Sequence, residues 1–291
     1  MSDDMRKSRR PVGGSRGVTV AATIASLWAP VCALHAAPSG VDDRILLGLQ
    51  GESLTNTSGG GGGSIGWLHN FSPAALVGAG VEHQALANSH WTFGSLNGSY
   101  TMGQGAKRYT VYGEAHEGGG NSGDRGLNYH IEAVGLVGTY FSKLSVSLED
   151  RQFFVDTVSG NLPKLGVSYL WNTHVQTTVS YAYSVGSNLG TRLASGKIDI
   201  FQPGVNWLAG FAFGQATAAV LIPGGQVAGQ PTSVPGLRVK EGYVGITVPL
   251  PSWRSEIGLT FDYQKLQSPF VDSDRFQGNL NYVFHIGHHG T

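Results

Sequence analysis

The chain is short of charge. Its 291 residues hold 19 Lys and Arg against 19 Asp and Glu, so only 13% are charged and the formal net charge is zero. Ordinary soluble domains carry about 25%. A dilute, balanced charge gives no electrostatic case for nucleic acid as a partner. Cysteine is almost absent: Cys32 stands alone, which excludes an internal disulfide, and its loss with a cleaved leader would exclude a cysteine-ligated metal site. Beyond residue 37 there is no run of 18 consecutive apolar residues, so no helical membrane span is available there. Helical periodicity is also scarce. H-E-x-x-H does not occur. What the chain has instead is glycine, at 44 residues, and a hydrophobic content of only 41%.

The N-terminus reads as an export signal. Arg6, Lys7, Arg9, Arg10 and Arg16 precede the apolar run "GVTVAATIASLWAPVCALHAA", and Pro38, Ser39 and Gly40 follow. A basic start, an apolar stretch and small residues predict a signal peptide over 1–37, cut near Ala36 or Ala37. The competing readings are a retained membrane anchor and a lipoprotein acylated at Cys32, although "APVC" lacks a leucine three residues earlier. Arg9-Arg10 also hints at twin-arginine export. Cleavage leaves a mature chain of about −3 formal charge with no thiol.

Two-residue alternation recurs through the rest. In "VQTTVSYAYSV", Val175, Thr177, Val179, Tyr181, Tyr183 and Val185 share one side; Gln176, Thr178, Ser180, Ala182 and Ser184 share the other. "SEIGLTFDYQK" sets Ile257, Leu259, Phe261 and Tyr263 against Glu256, Thr260, Asp262 and Gln264. "RFQGNLNYVFHI" sets Phe276, Leu280, Tyr282, Phe284 and Ile286 against Arg275, Gln277, Asn279, Asn281 and His285. These are strands with one apolar and one polar face. A soluble β-sandwich would bury the apolar face under a second layer. Here no helix is at hand to cover it, and the polar face carries hydroxyls and amides rather than Lys and Glu. A transmembrane barrel needs this pattern, apolar toward lipid and polar toward a wet lumen.

Turn residues divide the chain into about fourteen strands (12–16 possible), near 44–51, 63–70, 76–84, 90–101, 107–116, 127–140, 144–154, 162–171, 175–185, 193–201, 205–222, 237–249, 254–266 and 274–286. The reading is all-β: a closed antiparallel transmembrane β-barrel over 44–286, a periplasmic segment at 38–43 and a tail at 287–291. Short connections alternate with longer ones such as "GGGNSGDRG" and "PGGQVAGQPTSVPG", as periplasmic turns alternate with outer loops. Aromatic residues flank the short turns: Trp67, Phe71, Tyr140, Phe141, Trp171, Phe201, Trp207 and Trp253, with Tyr282 and Phe284 ending the last strand. They predict a periplasmic interfacial girdle. Trp91, Tyr129 and Tyr183 would supply a sparser outer one.

Ionisable residues on the polar faces are the candidate lumen lining: Glu114, His116, His130, Glu132, Glu149, Arg151, Lys197, Asp199, Glu256, Asp262 and Arg275. Charge inside a barrel sets ion preference; the blander reading is a hydrated wall of compensating pairs. Glu114 with His116, or His130 with Glu132, has the i, i+2 spacing of a catalytic or metal pair, and chance lumen neighbours have it too. "HIGHHG" (His285, His288, His289) is either a zinc or nickel site or a frayed tail. Gly59–Gly63 lacks the G-K-[ST] ending of a phosphate loop and reads as outer loop. No catalytic residue, cofactor or metal is assigned, and the chain is read as a non-enzyme.

With leader, dyad strands, alternating loops and terminal "LNYVFHI" together, residues 44–286 resemble bacterial outer-membrane β-barrels, and in size small porins. Tyr282-Val283-Phe284 is similar to the aromatic signal read by the barrel-assembly machinery, although "HIGHHGT" follows it. A weaker likeness, carried by "GVSYLWNTHVQTTVSYAYS", is to YaiO-like barrels associated with exopolysaccharide secretion. The resemblance implies an integral outer-membrane location, outer-membrane lipid as a partner, and passive movement of a small hydrophilic solute through the lumen. The competing functions are a structural or export component, with polysaccharide as partner, and a lipid-modifying enzyme.

Overall fold

A computed structural model describes residues 42–55, 59–86, 89–104, 107–122, 125–155, 158–185, 190–216, 237–267 and 272–287. The predicted leader, residues 217–236, His288 and His289 lie outside the described residues. The strands are β1 (Asp42–Leu54), β2 (Gly60–Ser72), β3 (Ala75–Leu86), β4 (Ser89–Gln104), β5 (Lys107–Ser122), β6 (Arg125–Tyr140), β7 (Leu144–Val155), β8 (Val158–Asn161), β9 (Lys164–Asn172), β10 (Val175–Tyr183), β11 (Arg192–Gln202), β12 (Val205–Ala216), β13 (Leu237–Leu250), β14 (Ser255–Gln267) and β15 (Asp272–His285). Each pairs antiparallel with its neighbours, and β1 pairs with β15, Leu49 opposite Leu280 and Leu47 opposite Tyr282. The sheet therefore closes on itself and leaves no edge in lipid, where each unpaired backbone group would cost several kcal/mol, of the order of ~4.

Fifteen segments make fourteen staves. β8 covers the outer part of β7 and β9 the inner part in one continuous register, Gln152 opposite Asn161 and Glu149 opposite Lys164. The break falls at Leu162-Pro163, because proline has no N–H for the ladder. The flanking bonds hold the stave together: Leu162 N–H donates to the Arg151 carbonyl at 2.7 Å, and Tyr183 N–H to that of Pro163 at 3.0 Å.

Several strands run further outward than their composition suggested. Gly60–Gly63, read as loop, belong to β2, and Gly118–Ser122 belong to β5. On β5 the cause is a pairing of aromatic rings with glycines across the ladder. Trp91 stands opposite Gly120 and Phe93 opposite Gly118. A Cβ at Gly120 would lie 2.2 Å from the His90 carbonyl oxygen and 2.6 Å from the Trp91 ring; one at Gly118 would lie 2.2 Å from the Thr92 oxygen. These glycines are strand residues with a ring where a side chain would be. At its other end, β1 begins at Asp42, two residues before the expected barrel start.

Candidate transport lumen

Strand alternation sorts side chains into two surfaces. Val179, Tyr181, Leu259 and Phe261 are exposed on the outside, with Ser180, Thr260 and Asn279 on the opposite face. Of the expected periplasmic girdle, Trp67, Phe71, Phe141, Trp171, Trp207, Trp253 and Phe284 are exposed on the outer wall, and Tyr140 and Tyr282 share its parity. Phe201 departs from the expectation: it has the parity of Lys197 and Asp199 and so belongs to the lumen face of β11. The outer girdle is also corrected. Trp91 and Tyr129 point inward and are buried, leaving Tyr183 outside with Phe211, Phe213, Phe261, Tyr263 and Phe276.

The periplasmic half of the lumen is hydroxyl-lined. Thr139 and Ser145 bond across β6–β7 at 3.0 Å, Ser168 and Thr178 across β9–β10 at 2.9 Å, and Ser180 and Ser195 across β10–β11 at 2.6 Å. Thr101 and Thr110 do the same across β4–β5 at 2.9 Å. These pairs replace charge on a wet wall, which accounts for the low charged content.

Higher up, ion pairs appear. On β5–β7 Arg151 bonds to Glu114 and lies 3.4 Å from Glu149, whose other oxygen accepts the Tyr112 hydroxyl at 2.6 Å. His116 Nε2 sits 3.8 Å from Glu114. Across the closure, Arg275 is fully buried at 0% exposure and donates from Nε to Glu52 at 2.9 Å and from Nη2 to the same oxygen. Asp262 lies beside these on β14, with buried Glu241 and Gln264. Lower on β11, opposite Thr178 and Gln176, Lys197 and Asp199 pair at 3.0 Å. At the periplasmic mouth His285 lies 3.4 Å from both Asp42 and Glu256, tying the two terminal strands to β14.

Two expected lining residues belong elsewhere. His130 and Glu132 lie on the outer wall, where His130 bonds to Glu117 and, at 3.0 Å, to Glu132. The reason is the parity of β6: Tyr129, Ile131 and Ala133 are buried inside, while Val134 and Leu136 are exposed outside. On this strand both faces are apolar in part, so alternation alone does not reveal which is wet. Sequence reasoning also missed Glu52, Tyr112, Lys164, Glu241 and the inward cluster of Trp91, Phe93, Tyr129, Ile131 and Phe153. Phe93 and Tyr129 pack with centroids 4.8 Å apart, and Trp91 is 1% exposed. With Leu193, Val239 and Leu266 also buried, side chains crowd the outer half of the lumen. The glycines opposite Trp91 and Phe93 were the signal available for those two.

A closed fourteen-stave barrel with an apolar outside and a polar, ion-paired inside is a transmembrane β-barrel of porin-like architecture. Its fold is similar to that of the CymD monoaromatic hydrocarbon channel, at 10% identity and TM-score 0.59 over 85% of this chain and 89% of that one. A deletion mutant of the TodX monoaromatic hydrocarbon channel matches at 10% identity and TM-score 0.54 over 93% and 97%. The outer membrane protein Omp33 of Acinetobacter baumannii matches at 12% identity and TM-score 0.48 over 84% and 99%. No protein-family model and no curated sequence matches the chain. The weaker likeness to YaiO-like barrels gains no support from these structures.

Proposed function

We propose that this protein is an outer-membrane channel for the passive movement of small hydrophilic solutes. The observation that carries the reading is the inner wall itself: hydroxyl pairs below, the Glu114–Arg151–Glu149 network above, inside a sheet closed by β1 and β15. The solved neighbours named as channels support a transport role for this architecture. Hydroxyls and ion pairs in the wall favour hydrated cargo, because polar linings replace part of a solute's water shell. The crowded outer half forms the narrow zone, and the hydroxyl-lined half forms a periplasmic vestibule. In this reading the leader is removed on export, Tyr282-Val283-Phe284 is presented to the barrel-assembly machinery, and no residue is assigned to catalysis.

Planar-bilayer recording of the purified barrel tests the proposal. Discrete conductance steps in KCl are expected. A correctly folded barrel that inserts and passes no current would refute the channel.

A further inference from the structure

The outer wall carries an unpaired cationic patch at the upper edge of the outer aromatic girdle of β11–β14. Arg192, Gln215 and Arg238 stand directly opposite one another on β11, β12 and β13, and Phe213 and Lys240 occupy the next outward-facing row. Lys265, on β14, is opposite Lys240. Arg192, Gln215, Arg238 and Lys240 are all exposed. Tyr183 stands opposite Arg192 and Phe213 opposite Lys240, while Phe211, Tyr263 and Phe261 lie beneath, toward mid-membrane. The Arg192 guanidinium lies over the Tyr183 ring, 5.4 Å from its centroid.

These cations lack local counter-charge. Lys265 is held by Asp272 and Asp274, each at 3.4 Å. Among the described residues no carboxylate lies within ion-pair distance of Arg192, Arg238 or Lys240. The sequences that join these strands, 186–189, 217–236 and 268–271, contain no Asp or Glu. The opposite wall differs: its Glu117 and Glu132 are both engaged by His130.

We infer that this patch binds a phosphate-bearing lipid headgroup of the outer leaflet. Aromatic girdles mark the level where acyl chains meet headgroups. Lys240 lies at that level and Arg192 and Arg238 one row beyond it, where cations meet headgroup phosphate, and guanidinium groups bind phosphate oxygens with paired donors. The acidic wall of a second copy is the weaker partner, because His130 already satisfies its carboxylates. The inference concerns the outside of the barrel and stands whether or not the lumen conducts.

The test is native mass spectrometry of the full mature chain released from micelles containing bisphosphorylated lipid A, or the same lipid stripped of phosphate. Phosphate-dependent adducts are expected. Each cation near a charged lipid surface is worth about a fivefold gain, so Arg192→Gln, Arg238→Gln and Lys240→Gln combined should weaken binding by roughly a hundredfold. Glu117→Gln with Glu132→Gln should leave it unchanged. Heat-modifiable gel migration checks that each variant is folded. Equal adducts with the stripped lipid, or with the triple variant, would overturn the inference. Full competition by inorganic phosphate at equal concentration would also overturn it, since that means a free-anion site. So would a dimer peak that vanishes in the triple variant without any lipid adduct, which means contact between copies.

Discussion

Arg275 holds a full charge at a position with no exposure, and Glu52 is the group that makes this possible. Removing one partner of a buried pair leaves the other charge uncompensated, which costs about 3–5 kcal/mol. Arg275→Met should lose that amount in urea unfolding from lipid vesicles. Joining it to Glu52→Leu should restore most of the loss, because an apolar replacement of both charges is close to neutral. Equal losses in the single and double variants would show that the pair is not the source. Gly120 makes a second test. Gly120→Leu should destabilise by about 1–3 kcal/mol by overpacking, since Trp91 and the His90 carbonyl already fill the space. Gly51→Leu is the control, with no atom within 4 Å of a Cβ there, and its unfolding midpoint should barely move.

Within single strands, parity is the testable property. On β10, Val179 is 60% exposed to the outside, while Ser180 bonds to Ser195 within the lumen. Val179→Arg should therefore destabilise by roughly 2–4 kcal/mol near mid-membrane. Single cysteines read the same geometry without depending on stability. Ser180→Cys and Thr260→Cys should react with a water-soluble thiol reagent in intact barrels, and Tyr181→Cys and Leu259→Cys should be protected. The reverse pattern would invert the wall, because a one-residue slip moves every side chain to the other face. β10, β14 and β15 were legible in advance because one face of each is apolar and the other hydroxyl- or amide-rich. β6 was not, since Ile131 packs inside and Val134 outside, and that misplaced His130 and Glu132.

For the barrel as a whole, the lumen has a charge bias. Among the described residues, inward-facing carboxylates outnumber inward Lys and Arg: Asp42, Glu52, Glu82, Glu114, Glu149, Asp199, Glu241, Glu256 and Asp262 stand against Arg44, Arg108, Arg151, Lys164, Lys197 and Arg275. Charge inside a pore sets ion preference. A KCl gradient across a bilayer should give a reversal potential of cation-selective sign. Glu114→Gln with Glu149→Gln should shift it toward anions, and anion selectivity in the unaltered barrel would overturn the assignment of bias.

Alternation, turn residues and aromatic positions were enough to read an all-β barrel, fourteen staves and most of the outward girdle, because side-chain direction in a strand follows from counting by two. The number of residues between turns set strand length closely, except at outer ends, where Gly60–Gly63, Gly118–Gly120 and Val158–Asn161 looked like loop. Nothing local distinguishes a loop glycine from one lying opposite Trp91, since the ring that excludes a side chain comes from another strand. Closure of β1 on β15 and the burial of Glu52 against Arg275 join residues 223 positions apart. Such partners are set by the register of fourteen staves around a ring, so folding alone brought them together.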